Sequence, residues 1–277
     1  MPDFTSQRLA FRQLHEQGCF VIPNPWDIGS ALFLQSLGFK AVATTSSGFA
    51  FSRGLPDSGD SNRRDEVLAH YADISNALSI PVNADFQSGY ATSLEDLPES
   101  VQRCIETGVS GFSLEDATGD PSHPLYDTSV AVERLRVARE VIDASGGNVM
   151  LTARAECFLV GHPDPLNESI KRLRAYADAG ADVLFAPCPA TRENLVAIVG
   201  AAEGVPVNAI MSSFTGLSVG DLADLGVRRI SVGSALARAA WTGFMGAAKK
   251  IADEGSFEGL DNLVSFRELE DFFGKRS

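Results

Sequence analysis

A chain of 277 residues, 44% hydrophobic and 21% charged, has the make-up of an ordinary globular protein with room for one large core or two small ones. Its formal net charge of −13 excludes a surface built to neutralise phosphates, so nucleic acid is not an expected partner, whereas a small anion met by local cations or a metal is compatible. No apolar run approaches the ~18 residues of a membrane span, so no membrane partner is expected. The start "MPDFTSQRLAFRQLHEQG" is mixed and polar, without a signal-peptide h-region, and a cytoplasmic location is expected. Cys19, Cys104, Cys157 and Cys188 form no CxxC pair, which points to reduced thiols rather than a disulfide framework or zinc site.

In chain order, short β-branched runs alternate with amphipathic stretches. The predicted strands are "CFVIPN" (19–24), "AVATTS" (41–46), "PVNADF" (81–86), "GFSLED" (111–116), "NVMLTAR" (148–154), "DVLFAP" (182–187), "VPVNAIM" (205–211) and "RRISVGS" (228–234). Nearly continuous apolar strands suit a parallel sheet covered on both faces. Helices are predicted between them, over 65–79, 94–107, 128–143, 165–179 and 191–202. Several end in glycine just before the next strand, as in "SLGFKAV", "ETGVSGF", "DAGADVL" and "DLGVRRI", the signature of a left-handed cap and an αβ turn. Eight β-then-α units in this length predict a (β/α)8 TIM-type barrel over residues 1–277, with 246–277 as an additional C-terminal helical segment. A doubly wound open sheet is the alternative, weakened by the lack of a GxGxxG or GxxxxGK[ST] motif.

Barrel enzymes carry their chemistry at the carboxyl ends of the strands. Asp85, Glu115 with Asp116, and Arg154 with Glu156 would then share one rim, joined by Asn24, Trp26 and Asp27 after the first strand and Ser46, Ser47 and Gly48 after the second. So many carboxylates with few cations suit a divalent cation, because like charges this close need a counter-ion. Arg154, closing an apolar strand, calls for an anionic partner. For Asp57, in "RGLPDSGDSN", a solvated loop acid is the plainer alternative. "SVGSALAR" reads either as a phosphate loop or as a tight strand-to-helix turn that needs Gly233.

"TTSSGFAFSRGLPD", "NADFQSGYA", "GFSLEDATG", "LTARAE" and "GVRRISVGSALARAA" together resemble the isocitrate lyase and phosphoenolpyruvate mutase superfamily, over about residues 15 to 245. The resemblance implies a (β/α)8 barrel in a homodimer or homotetramer, binding Mg²⁺ (or Mn²⁺) and a small anionic 2-oxo or 2-hydroxy acid. It makes Asp85 the direct metal ligand, with Asp57 and Glu115 holding the metal through water. It assigns the substrate carboxylate to the backbone of Ser46, Ser47 and Gly48 and to Arg154. One direct carboxylate with water-held partners is a normal Mg²⁺ shell, and such an ion can stabilise an enolate as the neighbouring bond breaks.

The chain also departs from that pattern. Gln87 stands where the superfamily's DxDxG motif has its second acid. The loop "DATGDPSHPLYD" lacks the lyase Cys and Lys, and "APCP" replaces the acid after the sixth strand. His123 and Tyr126 in that loop are the candidate general acids, an inert loop histidine being the other reading. Cys188 either faces the pocket or is a small buried hydrophobe, and His162 is a weaker candidate. The expected activity is Mg²⁺-dependent carbon–carbon cleavage of a small di- or tricarboxylate, by decarboxylation or retro-aldol reaction. The alternatives are a phosphonopyruvate-type P–C mutase or hydrolase and a non-catalytic 2-oxo-acid-binding protein. The Phe-rich tail "FEGLDNLVSFRELEDFFGK" suits an intersubunit or barrel-capping contact.

Overall fold

The computed structural model describes residues 3–57, 61–146 and 148–274. Eight short strands, all parallel, form one sheet: β1 (Phe20–Ile22), β2 (Val42–Ala43), β3 (Val82–Asp85), β4 (Gly111–Glu115), β5 (Met150–Arg154), β6 (Val183–Phe185), β7 (Val207–Ile210) and β8 (Arg229–Ser231). Their order is β1-β8-β7-β6-β5-β4-β3-β2. The Ala43 N–H donates to the Pro23 carbonyl at 3.0 Å and nearly closes the ring between β2 and β1. This is the predicted (β/α)8 barrel, and each predicted strand contains its observed one.

Helices separate the strands: α2 (Ile28–Ser36), α3 (Ser46–Ser52), α4 (Arg64–Ala77), α5 (Leu97–Glu106), α6 (Thr128–Ala144), α7 (Pro165–Asp178), α8 (Arg192–Ala201) and α9 (Val219–Asp224), with α1 (Thr5–Glu16) ahead of the first strand. The inward stripe of α6, Ala131, Leu135, Ala138 and Ile142, is buried at the three- and four-residue spacing that puts side chains on one helix face. Asp27 caps α2 in a reciprocal box with Ser30, and Thr191 caps α8 through the Asn194 N–H, each satisfying an orphan donor of the first turn. Gly38, Gly108, Gly180 and Gly226 have positive φ, as the glycine-ended helices require.

The barrel's lower end is apolar. Phe11 of α1 is fully buried and packs with Ile22, Ala41, Ala43, Met150 and Val183, so α1 plugs the amino-terminal ends of the strands. That helix is not among those the periodicity marked out. Higher in the interior Asn83, Asp85, Ser113, Arg154 and Ser231 line a cavity together with Phe185 and Ile210, and the site forms there.

The chain divides into two compact units, Met1–Ala235 and Leu236–Ser277. The second holds most of α10 (Ala235–Glu254), and all of a short 3-10 turn (Glu258–Leu260) and α11 (Phe266–Gly274); the expected helical segment covers these from 246 on, and its last residues, 275–277, lie outside the described residues. Within this unit Gly259 lies so close to Ala247 that an added Cβ would stand 2.8 Å from the Ala247 Cα. Lys250 pairs with Glu258 at 3.1 Å.

Candidate active site

β3 leads out of the core with Val82, Asn83 and Ala84 buried, and only its last residue, Asp85, reaches partial exposure. Its backbone is fixed on both sides: the Asp85 N–H donates to Thr44 Oγ1 at 2.9 Å, and Tyr71 Oη donates to the Asp85 carbonyl at 2.6 Å. The carboxylate is equally constrained. Oδ2 accepts from the Ser46 N–H (3.0 Å) and Ser46 Oγ (2.9 Å), and Oδ1 from Arg154 Nη1 (3.1 Å). Just beyond, Gln87 and Tyr90 both adopt φ +47°, left-handed conformations that side chains rarely take and that collect at functional sites.

Arg154 ends β5 and gathers three acids. Nη1 lies 3.1 Å from Asp85 and 3.2 Å from Glu115, while Nε donates to Glu156. Its guanidinium rests over the Phe185 ring, 5.3 Å from the centroid. Burial disfavours its charge, but the Glu156, Glu115 and Asp85 carboxylates outweigh that and raise its pKa, so the cation is permanent. Burial pushes Glu115 well above the ordinary carboxylate range, with Arg154 opposing and Glu156, Asp85 and Asp57 adding to the rise. Glu156 is raised for the same leading reason. Arg154 is the cation these acids share, and the raised carboxyls of Glu115 and Glu156 favour their neutral forms beside Asp85.

The donor set fits a hard cation. Asp57 accepts from Gln87 Nε2 at 2.9 Å and from Ser46 Oγ at 3.4 Å, so it joins Asp85 at the same mouth. Gln87 Oε1 is buried and has no hydrogen-bond partner, an oxygen left unsatisfied beside those carboxylates. Among the described residues no group of three or more His, Cys, Asp or Glu side chains is placed to hold a metal ion; Mg²⁺ keeps much of its water and needs as few as one or two protein carboxylates. Oxygen-only donors with one central carboxylate match that preference.

The remaining candidates separate. Ser46, Ser47 and Gly48 are not an open loop but the first turn of α3, capped by Thr45 through the Gly48 N–H. Asp116, read as one of a rim pair with Glu115, is instead buried behind the rim, where it accepts from Arg172 Nη1 (2.9 Å), Tyr176 Oη (2.6 Å) and the Glu156 N–H (2.8 Å). Arg172 also donates to the Tyr126 carbonyl at 2.9 Å, tying the loop after β4 to α7. The Tyr126 ring lies under the Arg134 guanidinium, 4.8 Å from its carbon. His123 is 85% exposed and stands 3.8 Å from Asp120, away from the acid cluster. Cys188 is buried, and burial raises its thiol pKa to about 11. His162 accepts from the Asp164 N–H at 3.2 Å, an exposed turn contact.

"SVGSALAR" takes the tight-turn form. The N–H groups of Val232 and Gly233 both donate to Asn24 Oδ1 at 2.9 Å, so a side chain from β1's end already fills that nest. Gly233 has φ +55°, and a Cβ there would stand 2.9 Å from Ile210 Cδ1. Glu156 stands on the rim with Arg154 as expected, Gln87 was read only as a departure from the superfamily motif, and the buried Arg229 is the residue that sequence reasoning did not place among the candidates. The period-two inward register of β3, β5, β7 and β8 was the signal that could have found Arg229.

A parallel (β/α)8 barrel with an acid-rich, arginine-bridged well at the carboxyl ends of its strands is the form in which barrel enzymes hold their sites. This chain belongs to the phosphoenolpyruvate phosphomutase family, whose model matches residues 11–252. It is 30% identical over 192 residues to the 2-methylisocitrate lyase of Escherichia coli K12, covering 66% of this chain and 62% of that protein. Among solved structures, a candidate lyase/mutase from Burkholderia cenocepacia J2315 superposes with a TM-score of 0.92 at 42% identity, covering 98% of each chain. A 2,3-dimethylmalate lyase superposes with a TM-score of 0.83 at 27% identity, over 99% of this chain and 96% of that one.

Proposed function

We propose that the protein is a Mg²⁺-dependent lyase that breaks a carbon–carbon bond in a small 2-oxo or 2-hydroxy di- or tricarboxylate through an enolate. The observation that carries this reading is the Arg154–Asp85 pair set among Glu115, Glu156 and Asp57 at the barrel mouth. Asp85 would hold the ion directly, with Asp57, Glu115 and Gln87 Oε1 around it. Bound there, the ion supplies Lewis-acid polarisation of the 2-oxo group.

The chain's own residues do the rest. Arg154 Nε is engaged by Glu156 and Nη1 by Asp85 and Glu115, so Nη2 is the donor that would meet one substrate carboxylate, with the guanidinium resting over Phe185. The first turn of α3, Ser46 to Gly48, would close the other side of that carboxylate, its Ser46 N–H held by Asp85 and its Gly48 N–H by Thr45 before substrate enters. The arginine is charged and positioned before reaction, so charge developing on the substrate meets a cation already in place. The loop after β4 carries neither Cys nor Lys. Decarboxylation needs no proton delivered to its leaving group, and so it ranks ahead of retro-aldol cleavage. The lyase named among the relatives supports the reaction class.

The test is product analysis with oxaloacetate, methylisocitrate, dimethylmalate and phosphonopyruvate, with and without Mg²⁺. Mg²⁺-dependent pyruvate and CO₂ from oxaloacetate, well above the free-metal background, supports the decarboxylase reading. Oxalate with acetate means hydrolysis, and turnover of phosphonopyruvate alone means P–C chemistry. Tight binding without turnover of any of the four leaves a 2-oxo-acid-binding protein. A homodimer or homotetramer is proposed alongside, because Phe244, Phe257 and Phe266 of the second unit are exposed; light scattering reads it directly.

A further inference from the structure

We infer that Arg229 is a specificity-determining residue at the floor of the well, where it receives a second carboxylate of the substrate. The inference rests on the carboxylate-cleaving reading above and narrows it to short dicarboxylates that enter with one acid group pointing down the barrel.

Barrel interiors are ordinarily filled with layers of branched apolar side chains from alternate strands. Here Asn83 of β3, Thr152 of β5 and Asn208 of β7 are buried polar residues, and Arg229 of β8 reaches all three. Its Nε donates to Asn208 Oδ1 at 2.8 Å, Nη2 to Thr152 Oγ1 at 3.1 Å and Nη1 to Asn83 Oδ1 at 3.5 Å. The ring of neutral oxygens holds the guanidinium in one plane, and three bonds leave part of its five-donor fork unused.

What is missing is a counter-charge. Arg154 of β5, part-buried, and Arg172 of α7, buried, each pair with carboxylates, and the buried Arg134 of α6 donates to the Ser88 and Ala91 carbonyls and covers the Tyr126 ring. Among the described residues no carboxylate lies within 4.0 Å of Arg229, which is only 3% exposed. Burial alone pulls its pKa down, to about 9. An unopposed buried cation is costly to keep, and neutral Asn and Thr oxygens are a poor substitute for an anion.

The same guanidinium lines a cavity of about 50 Å³ whose wall also includes Asn24, Asn83, Asp85, Arg154 and Ser231. That space holds a few waters or one carboxylate group. Thr152, which accepts from Arg229, precedes Arg154 by two residues on β5, a rise of roughly 6.6 Å. One cation thus stands at the rim and another about one layer below it, with Asp85 on the rim side of the wall and the neutral Asn83 and Ser231 beside Arg229. A short acid with a carboxylate at each end satisfies both. An acid ending in a methyl group leaves Arg229 buried without its partner, and a site built around a buried polar group rejects the ligand that lacks the matching one.

The experiment compares malate with 2-hydroxybutanoate, acids of equal length that differ in carrying a terminal carboxylate or a methyl. Affinities are measured by calorimetry with Mg²⁺ present on the full-length wild type, Arg229→Met and Arg229→Lys. Wild type is expected to prefer malate by on the order of 100-fold, the scale of a charge-assisted hydrogen-bonded pair. Arg229→Met should erase that preference while leaving the affinity for 2-hydroxybutanoate intact. Arg229→Lys, which keeps the charge but not the fork, should retain part of it and stands in where the Met variant fails to fold. A full malate preference in either variant overturns the role given to Arg229 and leaves the proposed function standing. Wild type that binds neither acid overturns both.

Discussion

Arg154 Nη1 stands 3.1 Å from Asp85 Oδ1 although β4 separates the strands that carry them. In the sheet register Asp85 pairs with Ser113, and Arg154 pairs with Glu115, one inward position further up β4. The stagger of a closed barrel lets the arginine lean over Ser113 to the aspartate. This pair occupies the carboxylate that the proposed metal needs, so metal binding and the Arg154 contact compete or share the same oxygens. Asp85→Ala is expected to leave the fold intact and to abolish the Mg²⁺-dependent thermal stabilisation given by oxalate. Unchanged stabilisation in that variant would mean the ion sits elsewhere.

Arg154 contacts three carboxylates and an aromatic face at once. A lysine keeps one charge but cannot reproduce the planar fork or its stacking. Arg154→Lys should therefore lower kcat/KM almost as far as Arg154→Ala, each on the order of 100-fold, the usual loss for one preorganised donor at a charged transition state. Steady-state kinetics on whichever acid the product analysis identifies would settle it.

Gln87 holds Asp57 through Nε2 and leaves Oε1 without a partner. Gln87→Asp removes that hydrogen bond and adds a negative charge beside Asp57 and Asp85. Without an ion the variant should melt below wild type, by about 1 kcal/mol or more of like-charge strain. Mg²⁺ should raise its melting temperature more than it raises that of wild type. The backbone accepts the change, since Asp tolerates the φ of +47° found here better than most side chains. Thermal denaturation across a Mg²⁺ series gives both signs, and an equal response in the two proteins would separate Gln87 from the ion.

Asp116 is almost wholly buried and shares Arg172 and Tyr176. Arg172→Leu would leave its carboxylate facing Tyr176 and a single backbone N–H. Breaking a buried pair from one side costs about 3–5 kcal/mol, and the loop to Tyr126 loses its tie to α7 as well. Urea denaturation should show that loss. A change below 1 kcal/mol would show that the pair contributes little beyond a hydrophobic contact of the same size.

Two buried histidines set an acid limit. Burial, the leading cause in both, lowers the pKa of His70, stacked on Phe49 at 4.0 Å, to about 4 and that of His15 to about 3. Both are neutral in the folded protein, while in the unfolded chain they take up protons near 6.5. Their contribution is thus complete above pH 6.5 and is lost as pH falls toward 4 for His70 and 3 for His15. Each can account for at most about 1.4 kcal/mol per pH unit in that window. His70→Phe should flatten the fall in melting temperature between pH 6.5 and 4, and a profile as steep as wild type would show that other groups govern it.

The sequence alone is enough to read the barrel. Eight apolar runs such as "DVLFAP" and "VPVNAIM" are local patterns, and so are the helix stripe of α6 and the glycine caps at Gly108 and Gly180. It also named Asp85, Glu115 and Arg154, because a charge that closes an apolar strand is visible one strand at a time. The folded barrel settles which of those charges meet, since β3, β4 and β5 come together through register and stagger, which no single strand encodes. It turned Ser46–Gly48 into the first turn of a helix, drew Asp116 behind the rim to Arg172, and left His123 on the surface. It put Arg229 into the barrel interior without an acid beside it. In the sequence Arg229 is one of two arginines opening an ordinary strand, and which of the two points inward is settled only by the pleat against β7 and β1.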